Sequence, residues 1–96
     1  MGPPTEVFGY ILGLDEFARE NGERIAALPE QDTKPELTRD MFAVPWIEHS
    51  YLLQLIPFGL VYKNVEIVWE AWLTKFEALL RTMYWDEAHA YLHTEC

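Results

Sequence analysis

The chain closes on YWDEAHAYLHTEC, residues 84–96, where His89 and His93 stand four apart with Asp86, Glu87, Glu95 and Cys96 around them. On a helix the two imidazoles would share a face about 6 Å apart along the axis, a spacing that can chelate zinc. On a strand they would lie about 13 Å apart, beyond the reach of one ion. Zinc needs three or four ligands, and a lone H-x-x-x-H arises readily by chance, so surface histidine is the plainer reading and no metal or other cofactor is assigned. A metal-binding protein or enzyme is the alternative, built on His89 and His93 with Asp86, Glu87, Glu95 or Cys96 as further ligands.

Other chemistry is thinner. Ser50, the one serine, directly follows His49, but adjacency in sequence is not the geometry of a nucleophile and its base. Cys96 lacks the electropositive setting that makes a reactive thiolate. Asp86 and Glu87 beside His89 would need a desolvated cleft to act as acid and base, and the acids of this chain fall on faces expected to be solvated. No catalytic residue is assigned, and the chain is not expected to be an enzyme.

Charge gives more direction. Sixteen acids against seven Lys and Arg leave a net charge of −9, which disfavours direct contact with nucleic acid or anionic lipid. The same excess attracts basic proteins and speeds their association. Residues 1–48 hold ten acids and four bases, and residues 49–96 hold six and three. The candidate partner-binding residues are therefore Asp15, Glu16, Glu20, Glu23, Glu30, Asp32, Glu36 and Asp40. A merely solubilising role for these acids stays open.

The elements that must position these groups fit one domain, residues 7–96, after a flexible start at residues 1–6 that carries Gly2, Pro3 and Pro4. Half the residues are hydrophobic, with four Trp, five Tyr and five Phe to fill a core. A single cysteine excludes an internal disulfide and fits a reducing compartment. With no secretory pattern at the start, and with residues 50–62 shorter than the roughly 20 apolar residues of a membrane helix, the expectation is a cytoplasmic protein.

Leu14, Phe17, Ala18, Ile25 and Leu28 keep helical spacing and predict a helix over 14–28, with Gly22 permitting a break after Asn21. Thr33 is placed to cap a short helix over 35–42, and Trp46 and Ile47 are expected to pack onto the core. The apolar run after Ser50 reads as a central strand over 51–57, with PFGLVYKN as its exit loop. Asn64 is expected to cap the longest helix, 64–85. Its apolar face runs through Val65, Val68, Trp69, Trp72, Leu73, Phe76, Leu79, Leu80, Met83 and Tyr84, leaving Ile67 outside. Residues 88–95 satisfy both periodicities.

PELTRDMFAVPW at 35–46 and YKNVEIVWEAWLTKFEALLRTMYWDEAHAYLHTE at 62–95 resemble small bacterial immunity-type proteins of polymorphic toxin and contact-dependent inhibition systems. The likeness lies in apolar and aromatic spacing and carries over no active-site residue. It implies that AHAYLHTE is an extended segment after the long helix, so that the fold is α+β with a small sheet from 51–57 and 88–95; an all-α bundle is the alternative. Strand, long helix and strand in this order are compatible with a parallel crossover. The resemblance and the charge together imply a non-enzymatic inhibitor that binds and neutralises a basic toxin or nuclease. A phage-encoded acidic nucleic-acid mimic that inhibits a bacterial defence nuclease is the alternative, and self-association through uncovered apolar surface is a third reading.

Overall fold

The computed structural model describes residues 4–44 and 53–94. Trp46, Ile47, His49 and Ser50, the expected strand start at 51–52, and Glu95 and Cys96 lie outside the described residues. The fold is α+β: a three-stranded antiparallel sheet in the order β2-β1-β3, formed by β1 (Pro4–Leu14), β2 (Leu53–Lys63) and β3 (Glu87–Thr94), with α1 (Ala18–Ala26) and α2 (Trp69–Leu80). Single 3-10 turns precede each helix at Asp15–Phe17 and Val65–Val68, and a third spans Arg39–Met41.

The central strand is the element the sequence pattern conceals. β1 begins at Pro4, so Pro4, Thr5 and Glu6 belong to the sheet and are not part of a loose end. Thr5, Val7 and Ile11 point to the core and are fully buried, while Glu6, Phe8, Tyr10, Leu12 and Leu14 point to the opposite face, as the period-two geometry of a strand requires. Apolar residues on both faces erase the usual alternation, and glycines occupy the inward positions 9 and 13. A Cβ on Gly9 would stand 1.9 Å from the His89 carbonyl oxygen, and one on Gly13 would stand 2.7 Å from that of Tyr84. The backbone of β3 and of the turn before it can approach β1 only because those positions carry no side chain.

β2 runs past Pro57 and Gly59 to Lys63, where an exit loop was expected. Pro57 is tolerated because β2 is an edge strand and the missing N–H costs no bond to β1; its carbonyl accepts from the Ala43 N–H on the outer side at 2.9 Å. β2 and β3 each run antiparallel to β1, so they share a direction but are separated by β1. The expected crossover of adjacent parallel strands is therefore replaced by one with a strand inserted.

Of the expected helices, 14–28 is realised as α1 with its preceding turn and passes through Gly22 unbroken. The 35–42 helix is absent apart from the turn Arg39–Met41. There the Asp32 carboxylate, not Thr33, takes the backbone N–H groups of Thr33 and Leu37, at 2.9 and 3.1 Å, and thereby satisfies donors that a helix would have left for a cap. The longest helix ends at Leu80, short of 85. Backbone bonds from Arg81, Thr82 and Met83 close its last carbonyls, and the chain turns into β3. Asn64 does not cap by its side chain; it adopts φ 58, ψ 33, the left-handed region asparagine tolerates.

The core lies between the sheet and the two helices. Trp72, fully buried, stacks on Trp69 and Phe76 and leans on Phe58 of β2. Its indole N–H donates to the Tyr62 hydroxyl at 2.9 Å, and that hydroxyl donates to the Glu36 carbonyl. Burial pushes the Tyr62 phenol up to about 12. Val65, Phe76, Leu79, Leu80 and Met83 are buried as the helical spacing predicts, whereas Val68 and Tyr84 are exposed and Ile67 is 78% exposed. No helix among the described residues is long and apolar enough to cross a membrane.

Candidate functional site

Both helices pack on the same face of the sheet: Ile25 of α1 and Trp72 and Phe76 of α2 share one apolar cluster with Val7, Ile11, Ile56 and Phe58. The opposite face carries no helix among the described residues. Its side chains follow from strand register. β1 contributes Glu6, Phe8, Tyr10 and Leu12; directly across on β3 stand His93, Tyr91, His89 and Glu87. On the β2 side the same four residues face Val61, Gly59, Pro57 and Leu55.

The middle of this face is aromatic. Phe8 and Tyr91 stack with centroids 5.5 Å apart, Tyr10 and His89 approach to 5.1 Å, and His89 lies nearly parallel to Tyr91 at 6.2 Å. Phe8 remains 47% exposed, Tyr91 48% and Val61 64%. Gly59 places no side chain beside Phe8, so the platform stays open toward β2. A contiguous apolar surface of this kind on a small domain marks a contact site more often than isolated exposed residues do.

Carboxylates bound the platform at both ends. Glu87 Oε1 accepts from the Tyr10 hydroxyl at 3.1 Å and contacts His89 Nε2 at 2.7 Å, a donor in the Nε2-protonated ring. These two bonds hold the Glu87 carboxyl below its ordinary value, with His89 the larger cause, while partial desolvation and the bond to Glu87 push the Tyr10 phenol up. At the other end Glu6 Oε2 stands 3.6 Å from His93 Nδ1. Both bonds to Glu87 fall on the one oxygen, Oε1.

His89, Tyr91 and His93 thus occupy the exposed face of a strand, one of the two readings that the pattern around them allows, and the two histidines are separated by Tyr91. Asp86 precedes the strand, and its backbone N–H donates to the Leu12 carbonyl at 2.8 Å. Among the described residues no group of three or more His, Cys, Asp or Glu could hold a metal ion.

The eight acidic candidates lie along successive elements of the chain. Asp15 and Glu16 lie in the turn before α1, Glu20 and Glu23 on α1, Glu30, Asp32 and Glu36 in the loop that follows, and Asp40 in the Arg39–Met41 turn. Glu23 pairs with Arg19 at 3.4 Å, and Glu30 pairs with Arg39. Asp32 binds Lys75 of α2 at 2.8 Å and ties the loop to the helix; this bond and that from the Leu37 N–H lower its pKa. Glu16, Glu20, Glu36 and Asp40 make no ion pair among the described residues. Phe8 and Tyr10 carry no clear signal in the sequence, because apolar residues on both faces of β1 erase the alternation that would align them with β3.

No family model, no curated protein and no solved structure matches this chain.

Proposed function

We propose that this chain is a non-enzymatic binding protein that neutralises a basic protein partner, a toxin or nuclease domain, as an immunity protein does inside the producing cell. The observation that supports this reading is a sheet covered by helices on one side and left aromatic on the other, in a chain of net charge −9. An apolar face that no described helix covers supplies contact area, and the charge sets the sign of the partner that will approach it.

Co-expression with the product of the neighbouring reading frame tests the proposal. The expected result is a purified complex of the two chains, rescue of growth when the neighbour is toxic alone, and an affinity that falls steeply between low and high salt. Failure to form a complex, or binding indifferent to salt, contradicts it.

A further inference from the structure

Resting on the reading of a basic partner, we propose that the β1–β3 half of the open sheet face is the docking surface and that it takes arginine side chains in particular. Three observations combine. The four rings of Phe8, Tyr91, Tyr10 and His89 form a two-by-two tier in cross-strand register. Guanidinium groups stack on such rings, and more favourably than the strongly hydrated ammonium of lysine does.

The tier is bounded by a carboxylate at each end. Tyr10 and His89 both engage Oε1 of Glu87, whereas His93 Nδ1 stands 3.6 Å from Oε2 of Glu6, beyond hydrogen-bond length. Among the described residues neither Oε2 of Glu87 nor the Glu6 carboxylate accepts a hydrogen bond, so each end holds an acceptor for an incoming N–H donor. By register Tyr10 and His89 are the rings next to Glu87, and Phe8 and Tyr91 are the rings next to Glu6, so a cation over either pair lies beside one carboxylate. Stacking and charge pairing then act on the same guanidinium.

Charge complementarity separates this occupant from the others. Among the described residues the face carries Glu6 and Glu87 and, at its far end, Lys63, and no arginine. A stacking platform for nucleic-acid bases would need a basic surround to meet the phosphates, and here the surround is acidic. A second copy would bring its own Glu6 and Glu87, and a further net charge of −9, onto the same face.

The test is NMR titration of the full chain at low salt with two synthetic probes, a hexameric Arg-Gly repeat and the matching Lys-Gly repeat. The expected result is perturbation of β1 and β3 amides and of the Phe8, Tyr10 and Tyr91 rings, with the arginine probe about fivefold tighter than the lysine probe. A folded Phe8→Ser/Tyr91→Ser variant should bind it about tenfold more weakly, whereas Glu16→Gln/Glu20→Gln should leave the perturbed residues unchanged. Perturbation confined to α1 and the 27–41 loop overturns the docking surface but leaves the basic-partner reading standing. No binding of either probe overturns both, and concentration-dependent self-association abolished by Phe8→Ser/Tyr91→Ser assigns the face to a second copy and overturns the proposal.

Discussion

Phe8 and Tyr91 stack across the β1–β3 ladder with ring centroids 5.5 Å apart and planes 25° apart, on the face of the sheet that no described helix covers. The pair stabilises the ladder as cross-strand aromatics do, by about 0.5–1 kcal/mol. Its rings nevertheless remain about half exposed, so folding removes only about half of their area from water. Phe8→Ser/Tyr91→Ser should therefore cost about 2–3 kcal/mol for the two rings together in denaturant unfolding. Trp72→Ala, deep between sheet and helices, should cost about 3–5 kcal/mol. A loss for the outer pair as large as that for Trp72 would mean that the face is structural.

Asn21 is buried on α1 and clamps the turn into β3. Its Nδ2 donates to the Tyr84 carbonyl at 2.8 Å and to Gln54 Oε1 at 3.4 Å, and its Oδ1 accepts from the Tyr84 N–H at 2.8 Å. Asn21→Ala leaves the Tyr84 backbone groups and the Gln54 oxygen without these partners in a buried setting. The expected destabilisation is about 2–4 kcal/mol by chemical denaturation, well beyond the loss of helix-neutral Asn at a surface site.

Gly9 sets the distance between β1 and β3. A methyl group there meets backbone, not a flexible side chain, at 1.9 Å from the His89 carbonyl oxygen. Gly9→Ala should push β3 off the central strand and cost at least about 2 kcal/mol. Hydrogen exchange should show lost protection in residues 87–94 before any change in α2.

The Asp32–Lys75 pair predicts an acid-side weakness. The folded carboxyl sits below the ordinary 3.8, so the unfolded chain binds the proton more readily. The contribution of Asp32 is present above its unfolded pKa and is lost as pH falls through the lower folded value. Unfolding midpoints measured from pH 5 down to pH 2 should fall more steeply for the wild type than for Asp32→Asn. At neutral pH that substitution should cost about 1 kcal/mol, since an amide oxygen still accepts from Leu37 and the pair is partly exposed.

Much of the layout could be read from residue patterns, and the failures have identifiable causes. The α2 face through Trp72, Phe76, Leu79 and Leu80 was legible because a buried helix stripe repeats every three to four residues. β3 was not legible from local spacing alone, because Ala88, Ala90 and Leu92 alternate with His89, Tyr91 and His93 while Trp85, Ala88 and Leu92 also keep helical spacing. β1 was missed because its outer face is as apolar as its inner one, and because Gly9 and Gly13, which look like breakers, are there to admit neighbouring backbone. Pro57 and Gly59 suggested a loop for a similar reason; only the edge position of β2 makes the proline harmless. Gly22 suggested a helix break after Asn21, whereas the role of Asn21 as a clamp depends on residues 33 and 63 positions away. The acidic candidates on α1 and its loop were chosen by charge density alone, whereas the open aromatic face exists only once β1 and β3 are side by side.

The central claim is that a basic partner docks on the open face and not on the acidic helical side. Its most direct test is the dissociation constant of the complex with the co-expressed partner for the wild type, Phe8→Ser/Tyr91→Ser and Glu16→Gln/Glu20→Gln. The account predicts a loss of about tenfold or more for the Phe8/Tyr91 variant at unchanged fold, and for the Glu16/Glu20 variant a shallower salt dependence with only a small change in affinity. Wild-type affinity in the Phe8/Tyr91 variant, with the large loss falling on Glu16→Gln/Glu20→Gln instead, would contradict it.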